Sequence, residues 1–184
     1  MDSERRLSAV EERLGALETT LSTLYAKNVA LVPDLVPDHP VAEQASATLW
    51  LDMGFDHPAF YSYEARGDGL GYHWIGRENS ATFTLPVTRR QPRRVDVYVV
   101  ISINDKTLNG LTISCDGRTP ASYDQTKCPD GTIRKSATFD AVPGSAGAAL
   151  TDVKLSIGAK VDLTPQGDPR TLAVGIHKIV VTAL

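Results

Sequence analysis

The alternation of apolar and polar positions changes period near residue 45, and that change divides the chain. Between residues 4 and 28 the apolar side chains Leu7, Val10, Leu14, Leu17, Leu21 and Leu24 recur at spacings of three and four. This is a heptad seam, with Leu7, Leu14 and Leu21 at a and Val10, Leu17 and Leu24 at d. Arg6 and Arg13 fall at g, and Glu11 and Glu18 at e, so each Arg can meet a Glu of a neighbouring chain. A narrow seam on so short a helix gains little in isolation. The pattern therefore predicts a parallel coiled coil over residues 1–31 that joins copies of the chain, as a trimer in preference to a dimer. A helix folded back on the body would need a wider apolar stripe. Pro33, Pro37 and Pro40 end the helix and stiffen residues 32–45 into a linker.

Over residues 46–184 the period is two. SATLWLDMG, ATFTLPV, RRVDVYVVISIN, LNGLTISCDG, TIRKSATFDAV, TDVKLSIGAKVDL and TLAVGIHKIVVTAL are rich in Val, Ile, Thr and aromatics, and turn residues separate them. Two weaker strands fall around 58–64 and 70–76. No amphipathic helix of ordinary length intervenes, which argues against parallel βαβ units. The expectation is a mainly β protein: an antiparallel, jelly-roll-like β-sandwich preceded by an α-helical coiled coil. The apolar ending Val180–Leu184 predicts a central last strand. The segment CDGRTPASYDQTKC reads as a long loop, which a Cys115–Cys128 disulfide would close, or which carries two free thiols.

At 184 residues the chain has room for one buried core and an appendage. A net charge of −3 argues against nucleic-acid binding. No apolar run is long enough to span a bilayer, and the charged N-terminus lacks the apolar core of a secretory signal. Synthesis in the cytoplasm is expected. No GxSxG elbow, phosphate loop, HExxH or calcium loop is present, and His39, His57, His73 and His177 are scattered. The chain is therefore not expected to be an enzyme or to need a cofactor or metal.

Two clusters could carry binding. Tyr61, Tyr63, Glu64, Arg66, Tyr72, His73, Trp74 and Arg77 mix aromatic faces with charge, as a sugar site does; aromatics stack on pyranose CH groups while charged groups bond hydroxyls. The same aromatics would equally serve as core. Glu64 and Asp168 could each pair with Arg170 to join strand ends. Arg89, Arg90, Arg93 and Arg94 form a basic turn suited to an acidic polysaccharide or protein patch, or a solvated hairpin tip.

GFDHPAFYSYEARGDGLGYHWIGRENSATFTLPV and GDPRTLAVGIHKIVV together resemble the β-sandwich modules attached to bacterial glycosyltransferases and other polysaccharide-associated proteins. The matching positions are Gly54, Glu64, Trp74, Gly76, Asp168, Arg170 and Leu172; His73 stands in place of the usual arginine and Ala173 in place of glycine. The resemblance covers about residues 50–184 and implies a carbohydrate-associated sandwich without fixing its site. A coiled stalk followed by a β head is also the plan of phage-like fibres and head spikes, including those of gene transfer agents. The expectation is a multivalent spike on the exterior of such a particle. Its stalk would be anchored to a structural protein and its head would touch surface polysaccharide. The alternative is a cytoplasmic accessory protein of polysaccharide biosynthesis.

Overall fold

The computed structural model describes residues 44–142 and 150–184, which belong to one compact unit. The heptad positions Leu7 to Leu24 and nearly all of the proline-rich linker lie outside the described residues.

The described chain is mainly β and antiparallel, as its period-2 pattern predicts. Twelve strands follow in order: β1 Ser46–Trp50, β2 Phe60–Ala65, β3 Gly71–Ile75, β4 Ser80–Leu85, β5 Arg93–Ser102, β6 Leu111–Cys115, β7 Ser122–Lys127, β8 Ile133–Phe139, β9 Thr151–Ile157, β10 Val161–Asp162, β11 Thr171–Leu172 and β12 Val174–Ala183. One large sheet runs β2-β3-β12-β5-β8-β7, with β1 also paired to β12; a three-stranded sheet runs β4-β9-β6, and β10 pairs with β11. β12 is central: β5 follows one side of it, and β3 and then β1 share the other.

The two main sheets face each other across one core. Val95, Val97 and Val99 point inward from β5, with Ile179 and Val181 from β12. They meet Phe83 and Leu85 of β4, Ile113 of β6, and Val153 and Leu155 of β9. Burying such side chains contributes roughly 1.5–3 kcal/mol each. In β12 the inward phase shifts from Val174 and Ile176 to Ile179 and Val181, because the register slips between Gly175 and Lys178. That slip turns Lys178 onto the outer face.

Three local features differ from expectation. A short helix, α1 (Asp105–Asn109), precedes β6; Asn104 caps it by accepting from Thr107 N. Within the predicted long loop lies β7, whose six residues are all exposed, so no hydrophobic alternation marks it. The basic turn is not a solvated tip. Arg93 is fully buried, and its guanidinium donates to Asp116 Oδ2 at 2.6 Å and to the Asp140 carbonyl at 3.2 Å. Arg89 donates to the Leu150 carbonyl and Arg94 to Asp96. Cys115 and Cys128 are free thiols.

The open edge of β6 is closed by side chains. Tyr123 Oη accepts from Ile113 N at 2.5 Å and donates to Ile113 O at 2.8 Å, doing what a neighbouring strand would do. The buried Lys135 donates to the Leu108 and Leu111 carbonyls at 2.8 and 2.7 Å. Leaving such groups bare would present a template for another chain.

Candidate functional site

The β2–β3 hairpin places Glu64 opposite Tyr72, and Tyr72 and Trp74 face away from the core that Ile75 enters. Both rings are buried on that outer face, in a second cluster with Val100 and Leu172. One carboxylate organises them. Glu64 Oε2 accepts from Trp74 Nε1 at 3.2 Å and from Tyr72 Oη at 3.4 Å, while Glu64 Oε1 takes Arg170 Nη1. The rest of the Arg170 guanidinium grips Asp168, with Nε and Nη2 at 2.9 and 2.7 Å. Asp168 also accepts from Arg170 N, closing a tight turn. Bonds to Asp168 and Glu64 raise the pKa of Arg170, and the bond from Arg170 lowers that of Asp168.

Thr171 N donates to Tyr61 Oη at 3.2 Å. At Gly76 a Cβ would lie 2.1 Å from the Thr171 carbonyl, so only glycine allows this approach. Gly76, Glu64, Trp74, Asp168, Arg170 and Leu172 thus form one lock that fastens β11 to the sheet. The structural alternative for the two ion pairs is the one this geometry favours, and every polar tip in the lock already has a partner.

His73 is buried, and both of its ring nitrogens face carbonyls: Nδ1 lies 2.8 Å from Tyr61 O and Nε2 2.8 Å from Asp52 O. Carbonyls only accept, so each ring nitrogen bonds its carbonyl when it carries the proton. His73 thereby ties the loop at Asp52 to β2. The Tyr63 ring packs edge-on against it at 5.7 Å and lies over Gly71. Arg66 binds Asp68 and the Asp130 carbonyl, and holds the turn before β3.

Beside the lock lies a groove of about 240 Å³ lined by Phe55, Asp56, Tyr61, Tyr63, His73 and Arg77, among others. The exposed Arg77 guanidinium lies 5.7 Å from the Tyr61 ring centroid, and Arg170 lies at the same distance. Of the eight residues singled out from sequence, Tyr61, Tyr63, His73 and Arg77 reach the groove. Glu64, Tyr72 and Trp74 belong to the lock, and Arg66 to the turn.

Sequence reasoning misses a row that only strand register creates. Trp50, Lys178, Tyr98 and Arg134 lie side by side on the outer face of β1, β12, β5 and β8. Lys178 Nζ sits 4.6 Å from both the Trp50 and the Tyr98 ring centroids. Trp50 is 46% exposed. The available signal was weak: each residue is the polar or amphipathic member of an alternating pair, but nothing local says that the four align.

Among the described residues no group of three or more His, Cys, Asp or Glu side chains could hold a metal ion, and no helix is long and apolar enough to cross a membrane. No family model matches the chain, and comparison with curated proteins finds no match.

Proposed function

We propose that this chain is a non-catalytic carbohydrate-binding protein, in which a coiled coil multimerises β-sandwich heads on the exterior of a phage-like particle. The observation that carries the binding reading is the groove, where the Tyr61 face, Tyr63, Asp56 and the exposed Arg77 converge. An aromatic face for sugar CH groups beside charged donors and acceptors for hydroxyls is the chemistry a glycan needs. The resemblance to glycosyltransferase-associated sandwich modules supports the same class of ligand. The stalk and trimer rest on the heptad seam, and multivalency would raise the avidity of a shallow site.

The head is proposed to be a jelly roll. Counting β3 to β9 and β12 as strands one to eight, the large sheet contains one, eight, three and six, and the small sheet two, seven and four. Strand five, β7, would complete the small sheet; here it pairs with strand six, and Tyr123 takes its place at the β6 edge.

The test is binding of the intact protein to an array of bacterial surface polysaccharides, compared with Tyr61→Ala and Arg77→Ala. Loss of at least tenfold in affinity in both is the expected result; Arg77→Ala should keep its thermal stability, while Tyr61→Ala also strands Thr171 N and should melt lower, so Arg77→Ala decides. Wild-type binding by both variants would remove the groove as the site. Recovery of the protein from cytosol in complex with a glycosyltransferase would replace the particle reading.

A further inference from the structure

Trp50, Lys178, Tyr98 and Arg134 are 128, 80 and 36 residues apart along the chain in that order, yet antiparallel pairing sets them next to one another: Trp50↔Lys178, Lys178↔Tyr98 and Tyr98↔Arg134. With strands about 4.8 Å apart the row is about 14 Å long. Aromatic and cation alternate along it. Lys178 lies between two rings at 4.6 Å, a favourable cation–π position on each side.

The hydrogen-bonding state of the row sets it apart. Among the described residues, none of the four side chains makes a hydrogen bond or an ion pair, and Arg134 Nε is buried without a partner. The indole N–H, ammonium, phenol and the Nη groups of the guanidinium therefore have no acceptor in place. Neighbouring acids are committed elsewhere. Asp96, one row away, accepts from Arg94 Nε at 3.0 Å and Ser136 Oγ at 2.5 Å. Asp130, which senses Lys178, accepts from Thr132 N and Oγ1.

We infer that this row is a second binding surface, separate from the groove, and that it takes an extended acidic glycan whose sugar faces lie on Trp50 and Tyr98 while its carboxylates meet Lys178 and Arg134. Aromatic surface flanking a cation on the outer face of a sheet suits a pyranose chain running across the strands. Two unpaired cations with no acid between them select a chain that carries negative charge. The inference shares the carbohydrate reading with the groove but rests on other residues, so the two fail separately.

The experiment is calorimetric titration of the full chain with a uronic-acid oligosaccharide, its carboxyl-reduced neutral counterpart, and a DNA duplex of similar charge. Wild type should bind the uronate at least tenfold more tightly than the neutral oligomer or the DNA. Lys178→Met, Arg134→Gln and Trp50→Ala should each weaken it at least fivefold, and Lys154→Gln, at an exposed position of β9 on the other sheet, should leave it unchanged. Unaltered binding in Lys178→Met and Arg134→Gln, or equal binding of the neutral oligomer, overturns the inference; so does DNA binding of equal strength or no uronate binding by wild type. If Trp50→Ala lowers the melting temperature, the two cation variants decide. Weakening by Arg77→Ala alone would return the ligand to the groove.

Discussion

Two patches share the outer face of the large sheet, and both are built from aromatic rings and cations. In the lock, Trp74, Tyr72 and Arg170 converge on Glu64 and Asp168, and every donor ends on a carboxylate. In the open row, Trp50, Tyr98, Lys178 and Arg134 have no such acceptor. The residue types are nearly the same. The difference is the acid, and it decides whether a patch serves the fold or remains available to a ligand. An aromatic and charged composition alone does not identify a site; the matching of its donors does.

Unfolding experiments on both patches test the role of the acid. Glu64→Ala strands Arg170 Nη1, Trp74 Nε1 and Tyr72 Oη, and should cost about 2–3 kcal/mol in urea unfolding, since each unpaired group forfeits a hydrogen bond near the surface. Trp50→Ala and Lys178→Met lose ring and cation–π contacts but strand no hydrogen-bonding partner, and should cost less, about 1 kcal/mol. Equal losses in the two patches would mean that the row is structural too.

At the β6 edge a single hydroxyl replaces a strand, which extends the contrast to the backbone. Tyr123→Phe leaves Ile113 N and O without their partner and should cost about 1–2 kcal/mol. The bared edge should also raise the tendency to self-associate, visible by light scattering. Stability loss without any change in scattering would show that another group covers the edge.

A smaller effect separates the patches by pH. Asp168 is held low by Arg170, and Asp68 is held at about 2 by Arg66. Depressed folded-state values mean that these carboxylates add stability above the ordinary Asp value of about 3.9, and that it is lost as pH falls towards about 2. Asp168→Asn should flatten that acid limb in thermal melts, whereas Lys178→Met, which removes only the smallest influence lowering Asp130, should alter it much less. The smallest effect is chemical. Burial and Asp116 push the Cys115 thiol up to about 12, so it should resist a thiol reagent in the native protein and react on unfolding, while the half-buried Cys128 reacts first.

Much of the fold was legible locally. Period-2 runs mark nearly every strand, and the apolar Val180–Leu184 ending points to the central place that β12 takes. β7 was not legible, because Ser122–Lys127 is exposed along its whole length and has no buried face to alternate. Nor was α1, whose five residues are too few to show a helical period. For the candidate site, the sequence picks out the Tyr61–Arg77 segment and proposes that Arg170 pairs with Glu64 and Asp168. It does not tell which aromatics are core: Tyr72 and Trp74 are buried, while Tyr61 and Tyr63 reach the groove.

That distinction belongs to the tertiary structure. Alternation along a strand is a property of neighbours in sequence, so the chain by itself determines which residues share a face. Whether a face is then covered depends on what the fold brings to it. β11 and the Arg170 that precedes it cover Tyr72 and Trp74 from about a hundred residues away, whereas Trp50 stays 46% exposed. The row itself is a matter of register between four strands. The slip at Gly175–Lys178 turns Lys178 to the outer face, and only the paired sheet sets it between two rings.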